Sequence, residues 1–147
     1  MKTEILFPEV ANLCGDLMNV TYLRQCCPEM EVETGLKDRP AFLDGGVDLV
    51  YVGSATERGL QLMVKALAPY RAELERYVDG GGLMLATGNA LDALGEYVVI
   101  DGKRTFDGLG ILKTHAEYHM MKRHNSFLLG SYQDMEIVGF KSLFGHT

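Results

Sequence analysis

Leu83-Met84-Leu85-Ala86-Thr87-Gly88-Asn89 is the stretch that decides the fold: four apolar residues in a row, a threonine, then glycine and asparagine. An apolar run without polar alternation reads as a strand covered on both faces, as in a parallel sheet lying between helix layers. Gly88-Asn89 then turns the chain into a short helix with Leu91 and Leu94 inward, ending at Gly95. Working backwards, Val47-Asp48-Leu49-Val50-Tyr51-Val52 forms the clearest strand, stopped by Gly53. Between the two, Leu60, Met63, Val64 and Leu67 trace one helix face, and Leu74, Tyr77 and Val78 trace another. Pro69 separates them, and proline there predicts a kink or break. Gly80-Gly81-Gly82 stops the second helix; no lysine-serine or lysine-threonine pair follows, so it is not a phosphate-binding loop.

Ahead of these units, Ile5-Leu6-Phe7 reads as a strand closed by Pro8, and Glu31-Val32-Glu33-Thr34 as another. Between them a helix is expected from Asp16 as N-cap, with Leu17, Val20, Leu23 and Cys27 at helical spacing. Strand-helix alternation through the first 95 residues implies right-handed βαβ units around a mostly parallel sheet, with helices on both faces. Beyond it the pattern changes to short strands at Tyr97 to Ile100, Gly110 to Leu112, Phe127 to Leu129 and Ile137 to Val138. Phe144-Gly145-His146-Thr147 carries no closing helix or strand, so the later strands are expected to lack partners and expose apolar surface, giving a homodimer or a marginally stable monomer.

Bulk properties narrow the function. The 147 residues fit one domain over 1–147, with 47% apolar and 23% charged residues. A net charge of −6, without a basic stripe, argues against nucleic acid and anionic membranes. No apolar stretch approaches the roughly 20 residues needed to span a bilayer. Met1-Lys2-Thr3-Glu4-Ile5 lacks a signal-peptide apolar region, and three cysteines make no disulfide framework, so the cytoplasm is the expected compartment. No cofactor is called for.

Several segments together resemble class I glutamine amidotransferases of the cobyric acid synthase type, and especially the lipid II isoglutaminyl synthase glutaminase-subunit type. They are Phe7-Pro8-Glu9, Asn12-Leu13-Cys14-Gly15-Asp16 with Asn19, Val50-Tyr51-Val52-Gly53-Ser54 with Glu57-Arg58, and Leu85-Ala86-Thr87-Gly88-Asn89 through Leu94-Gly95-Glu96-Tyr97. Gly108-Leu109-Gly110-Ile111-Leu112 and Gly139-Phe140 continue the likeness, which spans most of the chain. The resemblance implies a flavodoxin-like α/β fold. It also implies an elbow where a strand turns into a helix, the place of the family's cysteine nucleophile. Aligned without gaps, that place is held by Gly88. By the same resemblance Gly53 and Ser54 form an oxyanion-type turn, with Asn89 beside it. The family's histidine and acid fall beyond residue 147, so the domain reads as truncated at its C-terminal end.

Candidate binding residues follow. Asn12, Asp16 and Asn19 cluster after the first strand, at the sheet edge where open α/β folds bind ligands; they are equally turn and cap residues. Arg123 and Asn125 are candidate ligand or partner contacts on a later loop. Thr87 precedes the elbow, but strand alternation turns it into packing and no base adjoins it in sequence. Cys14, Cys26 and Cys27 lack zinc spacing and read as structural. His115 and His119, four apart with His124 nearby, lack a third ligand at matching spacing.

The resemblance thus implies an amidotransferase-like, catalytically silent chain that partners an amide-forming synthetase or binds a glutamine-like small molecule. A corrin precursor or a cell-wall intermediate would be the acceptor it suggests. Two alternatives stand: an active amidotransferase with a non-standard nucleophile, and a flavodoxin-like binding module.

Overall fold

The computed structural model describes residues 1–26 and 31–147. Its centre is a four-stranded, all-parallel sheet of β1 (Thr3–Leu6), β2 (Glu31–Thr34), β3 (Leu49–Val52) and β4 (Leu83–Ala86), ordered β2-β1-β3-β4. Strands β1, β3 and β4 are parallel neighbours, as the apolar runs imply. Helices cover both faces. On one side α1 (Met18–Cys26) packs Val20 against Ile5 and Tyr51. On the other, α2 (Glu57–Leu67) sets Leu60, Met63 and Leu67 against Leu6, Val50 and Val52, the set that alternation sends the opposite way. Pro69 breaks the helical stretch as expected: α2 ends at Leu67, a tight turn covers Ala68–Tyr70, and α3 (Arg71–Asp79) starts anew. Thr56 caps α2, its side chain accepting from the Gly59 N–H.

β4 departs from the expectation of cover on both faces. It is an edge strand, and Leu83 and Leu85 are exposed. In register these two lie on the face of Leu49 and Tyr51, where α1 reaches Ile5 and Tyr51 but no described element extends over β4. The opposite face, with Met84 and Ala86, packs on the main core. Four apolar residues here mark one buried face and one open one.

After the turn at Gly88, α4 (Ala90–Leu94) leads into a second sheet of β5 (Tyr97–Ile100), β6 (Lys103–Asp107), β7 (His115–Tyr118) and β10 (Gly145–His146). Its order is β10-β7-β5-β6, with β5 parallel to β7 and the other pairs antiparallel. Val98, Ala116 and Tyr118 join Ala90, Ala93 and Leu94 in the main core, so α4 couples the two sheets. A separate hairpin pairs β8 (His124–Tyr132) with β9 (Met135–Leu143). No helix among the described residues is long and apolar enough to cross a membrane.

Other expectations are corrected. Residues 110–112 are not a strand: Gly110 has φ of 63°, and the Ile111 and Leu112 N–H groups both donate to the Leu94 carbonyl. Leu91 and Val78, expected inward, are exposed. The last residues do close onto a partner, since Gly145–His146 pairs with β7 and the His119 N–H donates to the Phe144 carbonyl at 2.8 Å. A two-residue strand carries no periodicity by which sequence can announce it. Cys27 lies outside the described residues.

One buried acid locks the first layer. The fully buried Glu4 accepts from the Thr34 hydroxyl (2.6 Å) and from the Ala41 and Phe42 N–H groups (2.7 Å each), tying β1 to β2 and to the helical turn Ala41–Asp44. Glu4→Ala strands three donors, two of them buried, and is expected to lower the unfolding free energy by about 3 kcal/mol. Denaturant titration of the two proteins measures the difference.

Candidate functional site

The C-terminal ends of β1, β3 and β4 point the same way, and the loops leaving them meet over one carboxylate. Asp16, in the loop after β1, takes the Ser54 N–H (2.5 Å) and the Thr87 hydroxyl (2.6 Å) on Oδ2, and the Asn19 amide (2.6 Å) on Oδ1. Tyr51, rising from β3, donates its hydroxyl to the Asp16 carbonyl at 2.9 Å and accepts from Asn19 at 3.2 Å. Three strand ends, from residues far apart in sequence, are thereby fastened to one side chain.

Ser54 belongs to the turn expected to serve as an oxyanion hole. Gly53 is a packing requirement, since a Cβ there would lie 2.2 Å from the Ala11 carbonyl oxygen. The next two backbone donors are engaged: Ser54 N–H by Asp16, and Ala55 N–H by Asn89 Oδ1 at 3.0 Å. Asn89 completes a two-point latch by donating Nδ2 to the Ala55 carbonyl at 2.7 Å. Its side chain therefore splices the β3 turn to the start of α4, and these two N–H groups do not stand open to a ligand.

Gly88 occupies the tight turn between β4 and α4, exposed, with φ of 53°. A Cβ at this position would come 2.9 Å from the Ser54 Cβ. Backbone conformation and space both favour glycine here.

The remaining candidates divide. Asn12 caps the helical approach, its Oδ1 accepting from the Leu17 N–H at 3.0 Å, while Asp16 is the hub of the cluster rather than a simple N-cap. Arg123 and Asn125 sit at the hairpin root: Arg123 lies over the Phe144 ring and Asn125 accepts from the Ser142 hydroxyl. Neither bonds to the Asp16 cluster. Cys14 and Cys26 are exposed, which departs from their structural reading. Cys14 also adopts φ of 59°. Among the described residues no group of three or more His, Cys, Asp or Glu is placed to hold a metal ion.

Thr87 corrects its sequence reading. Its hydroxyl is not lost in packing but donates to Asp16, 71 positions away in sequence, so a carboxylate does adjoin it. No local spacing carries that contact. Tyr51 reads in sequence as one more apolar member of a strand, and only its hydroxyl distinguishes it. No family model matches the chain, and no curated protein matches it.

The electrostatics of the hub decide its chemistry. Partial burial pushes the Asp16 carboxyl up, but donors from the Ser54 N–H, the Thr87 and Ser54 side chains and Tyr51 outweigh it and hold the group below the usual 3.8. A carboxylate so stabilised is a poor proton acceptor for a threonine hydroxyl, and its hydrogen bonds serve positioning. Because the folded value is depressed, its stabilising contribution is complete above the unfolded carboxylate range near pH ~3.9 and drains away as pH falls through the folded value. Between pH 4 and pH 2 the wild type is expected to lose stability more steeply than Asp16→Asn. Thermal melts across that interval compare the two slopes.

Proposed function

We propose that the chain is an amidotransferase-like domain of flavodoxin-like topology. In this reading it no longer hydrolyses glutamine and acts as a subunit, or a binding partner for a glutamine-like small molecule, of an amide-forming synthetase. The observation that carries the reading is Gly88. It stands at a strand-to-helix turn on the C-terminal side of a parallel sheet, beside Ser54, where class I amidotransferases hold their thiol. Such a turn exposes a side chain in front of a helix start, an arrangement suited to a thiolate, and here no side chain fills it.

Two further features favour silence over disguise. The Ser54 and Ala55 N–H groups are consumed by Asp16 and Asn89, so neither is free to stabilise charge developing on a glutamine carbonyl. The adjoining hydroxyl, Thr87, donates to a carboxylate whose pKa is held below its ordinary value, which weakens it as a base. Loss of a nucleophile costs many orders of magnitude even when binding survives.

A second reading, an active enzyme with a displaced nucleophile, rests on two observations. Thr87 contacts Asp16, and the exposed Cys14 sits in the loop whose neighbour Leu13 accepts from the Ser54 hydroxyl at 3.2 Å. Ammonia release from glutamine separates the two. The chain is expected to match a buffer control across the pH range; turnover that Thr87→Ala or Cys14→Ala abolishes would establish the second reading instead.

Gly88→Cys provides a sharper check. The positive φ and the close approach to Ser54 are expected to cost about 1–3 kcal/mol of stability, measured in urea. Hydrolysis is expected to stay at the control level, while the new thiol labels faster than Cys14.

A further inference from the structure

The β8–β9 hairpin is the most apolar exposed element of the molecule, and its two faces differ. Strict pairing places Phe127 opposite Phe140 and Leu129 opposite Val138 on one face. These four are 82%, 64%, 79% and 72% exposed. The two phenyl rings meet edge to face at 5.7 Å, which fixes the centre of the patch. Asn125 with Ser142 borders it towards the root, and Ser131 with Glu136 towards the tip. The other face also carries exposed apolar residues, Leu128, Tyr132, Met135 and Ile137, but it is broken by Gly130 and Gly139 and by Lys141, whose ammonium faces His146.

Charge along the hairpin is graded. Arg123 stands at the root, its guanidinium 4.6 Å from the Phe144 ring centre, and Glu136 stands near the tip. Among the described residues neither has an ion-pair partner. A surface with an apolar centre, a cation at one end and an anion at the other complements itself when turned end for end. With two hairpins stacked antiparallel, Phe127 of one copy lies over Leu129 of the other. Each Glu136 then approaches the opposite Arg123.

Area points to the same occupant. With aromatic side chains presenting about 150–250 Å², the four residues expose roughly 500 Å² per copy, so face-to-face packing hides about 1,000 Å². That lies just below the roughly 1,200 Å² of a stable specific interface, in the range of a weak, reversible pair. We infer that the β8–β9 hairpin is a homodimerisation arm, its Phe127, Leu129, Val138 and Phe140 face packing antiparallel on the same face of a second copy, with Arg123 and Glu136 setting the orientation. The inference stands apart from the amidotransferase-like reading.

Sedimentation equilibrium of the full chain from about 1 to 200 µM tests it, with circular dichroism as the folding control. Wild type is expected to dimerise reversibly. Phe127→Ser, at a position outside the core, is expected to be a folded monomer. Arg123→Glu and Glu136→Arg are each expected to raise the dimer dissociation constant about tenfold, since each change occurs twice in a symmetric pair. The double variant Arg123→Glu/Glu136→Arg is expected to return to within about threefold of wild type. A monomer throughout the range, a dimer indifferent to Phe127→Ser, or a double variant no better than the singles would each overturn the inference, the last two by placing the contact elsewhere.

Discussion

The site depends on the convergence of three strand ends on the Asp16 carboxylate. Parallel strands deliver their C-terminal ends to one side, but nothing in the sheet's own hydrogen bonds determines how the departing loops arrange themselves. Asp16 supplies that order by accepting from Ser54 after β3, Thr87 at the end of β4 and Asn19 in α1. Asn89 repeats the device one residue further on by clasping both backbone groups of Ala55. Each acceptor is matched to backbone, hydroxyl or amide donors, so partial burial of a charge is offset without a cationic partner. The same matching leaves the turn internally satisfied.

The two sheets meet this organisation differently. Glu4 secures β1 to the edge strand β2, where Thr34 and the Ala41–Asp44 turn close over the core. Asp92 does the equivalent in the second layer, receiving the Tyr118 hydroxyl and, at 2.5 Å, the Thr147 hydroxyl. Burial, then the hydrogen bond and charge of Asp92, hold the Tyr118 hydroxyl well above its ordinary pKa, so the pair acts as a fixed donor and acceptor throughout the physiological range. Both acids are buried and both are fully engaged. Buried acids thus serve as fasteners at separate levels of the molecule.

What sequence reasoning could read follows from the range over which each signal acts. Local periodicity exposed β1, β3, β4, the α2–α3 pair and the Pro69 break, because each depends on residues a few positions apart. Whether a strand is central depends on what lies beside it, and the run Leu83 to Ala86 looks alike in either place; only pairing reveals the edge. The Gly110 to Leu112 stretch failed for a related reason: its apolar residues serve a loop anchored on the Leu94 carbonyl. At the candidate site, Asp16, Asn19 and Asn89 were legible as polar residues near strand ends. Thr87 and Tyr51 were not, because their roles arise from contacts 71 and 35 positions distant.

Gly88 joins these threads. In an elbow that carries a nucleophile, the strained backbone is held by surroundings that leave room for the side chain. Here a Cβ would meet Ser54 at 2.9 Å, and Ser54 is itself held by Asp16 below and by Leu13 on the loop side. Moving Ser54 aside would loosen the carboxylate cluster that orders all three strand ends. Glycine at this turn is therefore coupled to the polar network around it. A side chain at residue 88 would have to come with a rearranged Ser54 turn, and the energetic resistance of that turn lies in Asp16 and Asn89, outside the elbow itself.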